Sequence, residues 1–484
     1  MPMDRRTLLR GAGFLPLAAA MPIAAKASAH DRLERADYTL RIGTGLVELA
    51  PDQIVSTTLY NDQFPGPLIR LKEGKPVVVD IHNDTDVPEL VHWHGQMIPS
   101  GVDGAAEEGT PFIPPHAMRR IAFVPKPSGF RFYHTHIYAG ANLDRGTYTG
   151  LAGPVYIEPA DNPGAYDREI FLVLKEFGPT FSKGGDMALD ALTGTMLAPL
   201  QQIGRKADEE AKEKTKGYEV GYALFSINGK MLGHGEPIRV RQGERVLFHV
   251  LNASATEIRS LALPGHRFRV VALDGNAAPT QAEVPVLWLG TAERVSAIVE
   301  MNRPGVWVMG DLSDDDRGHG MGIVVEYAGQ SGQPQWATPN PFRWDYTLFG
   351  KPGGRAAAPD ETIEITVVKH NAADHGFNLW TLNGKAFSPS TLEPAYTIHE
   401  GRRYRLKFRN GSDDIHPLHL HRHSFELTRI AGKKTAGVMK DVVMLGGYQE
   451  AEFDFVADNP GATLFHCHQQ LHMDFGFMAL FNYA

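Results

Sequence analysis

Eight histidines in this sequence have the spacing of metal ligands. They form four His-x-His pairs, namely His92 and His94, His134 and His136, His419 and His421, and His466 and His468. Because side chains alternate between the two faces of a β-strand, both imidazoles of such a pair lie on one side of the strand. Each pair is therefore a candidate bidentate ligand for a metal ion. A single pair is more often an ordinary core or loop pair, so the prediction depends on all four together.

The only cysteine, Cys467, lies between two of these histidines and is expected to face the opposite side of the strand. A lone cysteine excludes an intrachain disulfide. His416 and His472 supply the nitrogens for a Cys-His₂ site, the ligand set expected for an electron-transfer copper. Zinc is the alternative metal. It would make no use of the covalent link from Cys467 to His466 and His468, which helps only if electrons move.

The histidine pairs follow a strand pattern that occurs three times. Each copy has a β-rich run between a glycine and an asparagine nine residues later. These residues are Gly74 and Asn83, Gly243 and Asn252, and Gly401 and Asn410. Histidines follow the first and third asparagines by nine and eleven residues, whereas Leu261 and Leu263 follow the second. We therefore predict an internal repeat whose middle copy lacks metal ligands.

Short β-rich runs separated by Gly, Pro and Asn predict an all-β chain. The repeat divides it into three consecutive β-sandwich domains at about 40–160, 165–330 and 340–484. The second domain carries an insertion at 181–217. Its least strand-like region is the charged stretch from Lys206 to Lys216, which predicts a solvated helix or loop.

The four pairs come equally from the first and last domains. We therefore expect one cluster where these two domains face each other. Eight imidazoles can hold three metal ions and leave coordination open for a ligand. His423 has a near counterpart, His266, in the metal-free middle copy, so we expect His423 to be structural or supporting rather than a ligand.

The charge and composition exclude several classes of function. The 484 residues contain 48 Lys and Arg against 56 Asp and Glu, a formal net charge of −8, with no basic run outside the N-terminus. We therefore expect a small partner and no nucleic acid. With 43 % hydrophobic and 21 % charged residues, the composition is that of a globular protein rather than a disordered one.

Residues 1–29 predict a cleaved export signal. Arg5 and Arg6 precede an apolar stretch and an Ala27-Ser28-Ala29 cleavage site, as in twin-arginine signals. The apolar stretch is shorter than the ~20 residues that span a bilayer, so a membrane anchor is the weaker interpretation. We expect a periplasmic or secreted protein with no stable membrane insertion after signal removal.

The motifs HWHG, HTH, HPLHLHRH and HCHQQLH resemble the signatures of the multicopper oxidases, specifically their three-domain, bacterial laccase-like branch. The resemblance covers the mature chain and implies three consecutive cupredoxin-like Greek-key domains with four copper ions. It implies a type 1 copper on His416, Cys467 and His472, and a type 2 copper on His92 and His419. It implies a type 3 pair on His94, His134, His136, His421, His466 and His468. The implied reaction couples four one-electron oxidations to the reduction of O₂ to two waters.

The sequence departs from the family at the axial position of the type 1 copper. Where many relatives have a weakly bound methionine, ten residues after the cysteine, this chain has Phe477, which cannot coordinate. Loss of that donor would raise the reduction potential. Met478 is the alternative axial residue, but strand alternation directs it elsewhere, so we favour Phe477.

A second departure concerns proton supply. Many bacterial relatives have an acidic residue directly after the last type 1 histidine, whereas this chain has Met473 followed by Asp474. Asp474 is a candidate substitute. Asp103 resembles the family carboxylate near the cluster's water path and is a candidate proton relay; the alternative is an ordinary Asp-Gly turn.

Two reducing substrates and one non-catalytic role remain open. A laccase would oxidise phenols or aromatic amines, and a metallo-oxidase would oxidise Cu(I) or Fe(II) in copper tolerance. The 15 methionines form no dense tract that would recruit Cu(I), which favours the first. A copper-free envelope scaffold is the third hypothesis. It predicts missing ligands, and none of the eleven is missing.

Overall fold

The computed structural model describes residues 35–159, 165–183 and 217–484. About half of these described residues are in strands and only 6 % in helices, which confirms the predicted all-β class. The predicted export signal at 1–29 and the predicted helix or loop from Lys206 to Lys216 lie outside the described residues. In the three described ranges, no helix combines the length and apolar character needed to cross a bilayer.

Residues 38–158 form two four-stranded sheets that pack face to face. The strands are β1 (Tyr38–Ala50), β2 (Gln53–Tyr60), β3 (Ile69–Lys72), β4 (Val77–Asn83), β5 (His92–His94), β6 (Ala117–Phe123), β7 (Gly129–His134) and β8 (Ala152–Glu158). Their orders are β2-β1-β4-β6 and β3-β8-β7-β5. Buried residues of both sheets, including Leu40 and Trp93, form the core. Helix α1 (Ser100–Asp103) and 3-10 turns at Ala106–Glu108 and Gly146–Tyr148 lie in the loops.

The described residues 168–183 and 217–327 form a middle unit of twelve strands. These are β9 (Arg168–Lys183), β10 (Tyr218–Ile227), β11 (Ile238–Val240), β12 (Arg245–Asn252), β13 (Arg259–Ala262), β14 (Phe268–Leu273), β15 (Asn276–Ala277), β16 (Glu283–Val284), β17 (Val286–Leu289), β18 (Arg294–Glu300), β19 (Val306–Gly310) and β20 (Gly322–Tyr327). Five of them form a sheet in the order β11-β20-β19-β13-β17. Helix α2 (Asp314–Gly318) is capped by Ser313, whose Oγ accepts a hydrogen bond from the Asp316 amide.

Residues 361–483 form the last unit. Its strands are β21 (Glu361–Asp374), β22 (Phe377–Leu382), β23 (Tyr396–Ile398), β24 (Arg403–Asn410), β25 (His416–Leu420), β26 (Phe425–Ile430), β27 (Lys433–Lys440), β28 (Val442–Leu445), β29 (Glu450–Val456), β30 (Thr463–Cys467) and β31 (Met478–Tyr483). Five of them form a sheet in the order β23-β31-β30-β25-β28. A 3-10 turn at Tyr346–Phe349 precedes β21, and helix α3 (Gln470–Asp474) follows β30.

The remaining strands of the middle and last units form one 13-stranded sheet. Its order is β15-β14-β18-β12-β9-β10-β22-β21-β24-β29-β26-β27, with β16 paired to β14. The two units join where Tyr218 of β10 lies opposite Phe377 of β22. The strand pattern of the sequence gives no signal for this junction, because a single residue pair makes it.

The three asparagines of the sequence pattern end equivalent strands, β4, β12 and β24. Each of these strands pairs in parallel with the first long strand of its unit, β1, β9 or β21. Each asparagine Nδ2 donates to at least two backbone carbonyls, and each Oδ1 accepts from the amide two residues later, at 2.7–3.2 Å. These bonds hold the turn that leads from each strand toward the ligand-bearing positions.

Candidate metal centre

The four histidine pairs meet between the first and last units. In the β5–β7 ladder His92 lies opposite His134, and in the β25–β30 ladder His419 lies opposite His466. Across the interface, the rings of His94 and His419 stack with centroids 3.8 Å apart, and those of His92 and His421 with centroids 4.1 Å apart. All eight imidazoles are buried. The cluster therefore exists only where the two ends of the chain pack together.

Strand alternation explains the placement of only one pair. His92 and His94 both lie within β5, whereas the second histidine of each other pair follows the end of its strand. His136, His421 and His468 still turn inward, because the segments after β7, β25 and β30 continue along the cluster. The expectation of four strand-borne pairs was wrong in this detail, although the pairs do converge.

The hydrogen bonds of the imidazoles leave their inward nitrogens available. The Nδ1–H groups of His92, His134, His419 and His466 donate to the backbone carbonyls of Asp103, Thr135, Asp441 and Cys467 at 2.6–2.9 Å. Such bonds fix the tautomer and leave Nε2 as a lone-pair donor. Within the described residues, Nε2 of His92, His134 and His419, Nδ1 of His94, and both nitrogens of His136 and His468 have no hydrogen-bond partner.

These orphaned nitrogens fit metal ions. Donor atoms of His136, His421 and His466 lie within 4.8 Å of one another, as do those of His92, His94 and His134. Nε2 of His421 and Nε2 of His466 are only 3.0 Å apart, and each ring donates its other nitrogen elsewhere. With these tautomers two lone pairs face each other, and a cation bound between them would remove their repulsion. Burial, and then the neighbouring imidazoles, lower the pKa of these groups, so the rings are neutral ligands.

A second donor set surrounds Cys467 on the other side of β30. Its Sγ lies 3.6 Å from Nδ1 of His416 and 3.5 Å from Nδ1 of His472, and the two nitrogens are 3.2 Å apart. Ser412 Oγ lies 2.9 Å from Nε2 of His416, which holds the ring with Nδ1 toward the sulfur. Burial raises the pKa of the Cys467 thiol, so a bound cation is needed to stabilise the thiolate.

Two aromatic rings cover this Cys-His₂ set. The Trp380 ring lies 4.8 Å from the His416 ring and 4.4 Å from the His472 ring. The Phe477 ring lies 4.8 Å from the His416 ring. Met478, in contrast, packs with Leu464 and other residues of a separate apolar cluster. Of the two candidates for the axial position, only Phe477 contacts this donor set in the described contacts.

Asp103 lies directly behind the histidine cluster. Its Oδ2 accepts from Nδ1 of His421 at 3.0 Å and lies 3.1 Å from Nδ1 of His92. Sequence analysis missed a second carboxylate here, Glu108, whose Oε1 accepts from the Leu464 amide and lies 3.5 Å from the same His421 nitrogen. Burial, then the Asp103 charge, raise the Glu108 pKa well above its ordinary value. An acidic pair therefore contacts one imidazole.

Asp474 lies farther along the chain and binds backbone rather than imidazole. Its Oδ2 accepts from the amides of Ala139 and Gly140, and Gln470 Nε2 donates to both of its oxygens. Burial raises its pKa to about 7. Asp474 thus ties helix α3 to the loop that follows His136.

The first unit has a polar pair where the last unit has its Cys-His₂ set. Thr135 takes the position of Cys467, and Glu89 follows Asn83 by six residues, as His416 follows Asn410. Thr135 Oγ1 donates to Glu89 Oε2 at 2.9 Å. A hydroxyl and a carboxylate therefore occupy this position in the first unit.

His423 and His266 make matching contacts. Nδ1 of each lies near a carbonyl two residues earlier, and Nε2 lies near a tyrosine hydroxyl, Tyr483 or Tyr327. Both histidines therefore act as hydrogen-bonding core residues, as the sequence comparison of the copies predicts.

The largest feature absent from the sequence analysis is a buried ionic network around Asp441. Its carboxylate contacts His94, Arg131 and Arg294. Nearby, Lys440 pairs with Asp274 at 2.9 Å and Glu293 at 3.0 Å. These are isolated charged residues in the sequence, with no spacing pattern that could have revealed them.

Three models of one family, each described as multicopper oxidase, match residues 44–162, 204–328 and 358–484, about three quarters of the chain. The multicopper oxidase MmcO of Mycobacterium tuberculosis is 29 % identical over 447 residues, 89 % of this chain and 84 % of that protein. Laccase-3 of Thanatephorus cucumeris is 23 % identical in an alignment of 562 positions, gaps included, which covers 93 % of this chain and 91 % of that protein.

Among solved structures, a multicopper oxidase from Campylobacter jejuni, described as a metallo-oxidase, superposes with a TM-score of 0.68 at 18 % identity, covering 92 % of this chain and 91 % of that one. This likeness confirms the predicted fold of cupredoxin-like β-sandwiches. The chain belongs to the multicopper oxidase family and is a copper-binding oxidoreductase that uses O₂ as its electron acceptor.

Proposed function

We propose that this chain is a laccase-type oxidase that holds four copper ions in three domains, at about 40–160, 165–330 and 340–484. His416, Cys467 and His472 hold the type 1 ion. His92 and His419 hold the type 2 ion. The type 3 pair is held by His94, His134, His136, His421, His466 and His468. One observation carries the proposal: the Cys467 sulfur meets two imidazole nitrogens at 3.5–3.6 Å, while His466 and His468 on either side belong to the eight-imidazole cluster.

Copper at these positions supplies one-electron redox chemistry and the reduction of O₂ to water. The chain contributes neutral imidazoles with fixed tautomers, and burial that excludes bulk water. It also places a covalent link of one residue between the two donor sets. Phe477, a ring without a donor atom, fills the axial position in this proposal.

Asp103 is the proposed proton relay. Its carboxylate bonds to imidazoles of the type 2 and type 3 sets, His92 and His421. A carboxylate held there is positioned to pass protons toward the place where O₂ is reduced. Asp474 has a different task in this proposal, because its oxygens are occupied by the Ala139, Gly140 and Gln470 donors.

The proposed reducing substrate is a phenol or an aromatic amine. A cavity of about 550 Å³ opens beside helix α3, which carries His472. Phe377 and Phe475 stack at 4.4 Å between ring centroids on its wall, and Tyr138 lies at its exposed side. The Trp380 amide donates to the Phe475 carbonyl at 2.8 Å, while its ring packs on His472. This open cleft offers three aromatic rings, those of Tyr138, Phe377 and Phe475, against which a planar aromatic substrate could pack.

A metal ion, Cu(I) or Fe(II), is the second candidate substrate. The exposed rim of the same cavity carries Asp374 and His375, with Oδ1 and Nε2 3.8 Å apart. Such oxygen and nitrogen donors suit a first-row metal ion. This pair is the specific observation that keeps the metallo-oxidase alternative open.

Oxygen uptake distinguishes the two substrates. Copper-loaded protein is assayed with a methoxyphenol, with Cu(I) and with Fe(II), together with Tyr138→Ala and the double variant Asp374→Asn/His375→Ala. If the protein is a laccase, it should oxidise the methoxyphenol faster than either metal ion, and Tyr138→Ala should raise the KM for the methoxyphenol. A metallo-oxidase loses metal-ion turnover in the double variant only. Met118→Ala, an exposed residue on β6 away from the cavity, is the matched control.

We further propose that the protein works in the periplasm or outside the cell, after twin-arginine export and without stable membrane insertion. The Arg5-Arg6 motif and the cleavage site support this proposal. Fractionation of cells expressing the native chain and an Arg5→Lys/Arg6→Lys variant tests it, since the variant should remain in the cytoplasm.

A further inference from the structure

A partly buried lysine lies near the Cys-His₂ set, on the far side of Trp380. Lys369 is on β21, directly opposite Trp380 of β22. Its Nζ lies 2.9 Å from Oδ2 of Asp414, and carboxylate oxygens of Asp413 and Glu219 are at 3.9 and 4.0 Å. Only 17 % of its side chain is exposed. Burial opposes the charge, but the three carboxylates outweigh it and raise the Lys369 pKa, so this side chain is a permanent cation.

Trp380 separates this cation from the metal ligands. The Lys369 ammonium lies 5.6 Å from the centroid of the Trp380 ring, and that ring packs on both His416 and His472. Trp380 is completely buried, so no water lies in the space it fills. Charges interact more strongly across such a medium than across solvent.

Asp414 brings a carboxylate to the same place, because it pairs with the Lys369 ammonium at 2.9 Å and lies two residues before His416 in the chain. The ammonium and the carboxylate are therefore two opposed charges beside one metal position.

We propose that Lys369 raises the reduction potential of the copper at His416, Cys467 and His472 by offsetting the Asp414 carboxylate. The inference rests on the proposed function, which places the type 1 copper there. Reduction adds one electron and lowers the positive charge of the site by one. A fixed cation nearby therefore favours the reduced form, and an unpaired carboxylate favours the oxidised form.

The experiment measures the reduction potential of copper-loaded protein by titration with redox mediators, followed through the visible thiolate-to-copper band. The variants are Lys369→Met, which removes the charge, and Lys369→Arg, which keeps it. Lys369→Met should shift the equilibrium with a one-electron mediator toward the oxidised form by about tenfold, about 59 mV. Lys369→Arg should stay close to the parent, and Lys369→Met/Asp414→Asn should recover most of the shift.

A second variant, Asp414→Asn, tests the same proposal independently. Loss of packing would not shift the reduction potential one way in Lys369→Met and the opposite way in Asp414→Asn, whereas removal of opposite charges would. Asp414→Asn leaves the cation unopposed and should raise the potential, and this variant also serves if Lys369→Met does not fold. The proposed role of Lys369 is wrong if, with the visible band intact, Lys369→Met leaves the reduction potential unchanged or Asp414→Asn leaves it unchanged or lowers it. Either result would leave the proposed function standing. Parent protein that binds copper without a thiolate-to-copper band overturns the proposed function as well.

Discussion

Nε2 of His94 lies 3.1 Å from Oδ1 of Asp441, a contact between residues from opposite ends of the chain. The same carboxylate accepts from Arg131 of the first unit and Arg294 of the middle unit, and all of these side chains are completely buried. One carboxylate therefore joins all three units beside the histidine cluster, and it directs Nδ1 of His94 toward the other imidazoles.

Removing the Asp441 charge should destabilise the protein strongly. Asp441→Asn leaves the buried Arg131 without its carboxylate partner and leaves Arg294 with Asp274 only, and a loss of one partner of a buried pair costs about 3–5 kcal/mol. The free energy of unfolding of copper-free protein, from urea titration, measures this loss. Asp84→Asn is the control, because its pair with Arg41 is exposed and should contribute less than about 1 kcal/mol. Equal effects of the two substitutions would contradict the central role of Asp441.

Cys467→Ser should abolish the type 1 site and leave the imidazole cluster in place. Copper content should fall from four ions to three per chain, the visible thiolate-to-copper band should disappear, and substrate-driven O₂ uptake should stop. Thr135→Ser is the matched control at the equivalent position of the first unit and should change none of these. A Cys467→Ser protein that consumes O₂ at the parental rate would end the proposed function.

Asp103→Asn should slow turnover without loss of copper. The amide preserves the shape of the side chain but cannot accept and release a proton, and general acid–base catalysis is worth at least about 100-fold. We expect kcat for O₂ uptake to fall by about that factor while metal content and the visible band stay unchanged. Parental turnover in this variant would remove Asp103 from the proton path.

Stability should depend on pH through Glu89. Burial, the largest effect, raises its pKa from the ordinary 4.5 to about 7 in the folded protein. Between these two values the unfolded chain loses the proton while the folded one keeps it, so the free energy of unfolding falls as pH rises from about 4.5 to about 7. The loss is of the order of 3 kcal/mol.

Glu89→Gln tests this dependence, since it keeps the hydrogen bond from Thr135 but does not titrate. Its stability relative to the parent should rise as pH increases from 4.5 to 7.5, measured by urea unfolding of copper-free protein. Comparing the two proteins cancels the contribution of Asp474, whose pKa is also raised to about 7 by burial. A constant difference across this pH range would show that Glu89 does not titrate there.

Phe477→Met should lower the reduction potential of the type 1 copper. A thioether beside His416 offers the weak donor that the native ring lacks, and axial donation stabilises the oxidised ion. Phe477→Leu, which adds no donor, separates donation from packing and should leave the potential close to the parent. Met478→Leu should have no effect, because Met478 packs with Leu464 and Met473 in another cluster. A drop in potential with Met478→Leu would instead assign the axial role to Met478.

The sequence predicted the imidazole cluster because local spacing determines much of it. The His-x-His intervals and the fixed distance from each strand-ending asparagine are short-range properties, and the bonds of Asn83 and Asn410 show the turns that carry them. The ends of β7, β25 and β30 were less predictable, since they depend on where the ladder hydrogen bonds stop.

The charged surroundings of the site could not be predicted in this way. Asp441, Arg131 and Arg294 are far apart in the chain, and any of them alone is typical of a solvated surface. Only the packing of three units shows that they are buried together. The same holds for Lys369, whose position opposite Trp380 depends on the register of β21 and β22.

His92 and His468, which stand toward opposite ends of the described chain, line the same imidazole cluster. During translation the early imidazoles therefore emerge long before their counterparts exist. A nascent polypeptide that has not yet reached β30 lacks His466 and His468 and cannot assemble the eight-imidazole cluster. The copper binding proposed there must therefore follow the completion of synthesis and the folding of the last unit against the first.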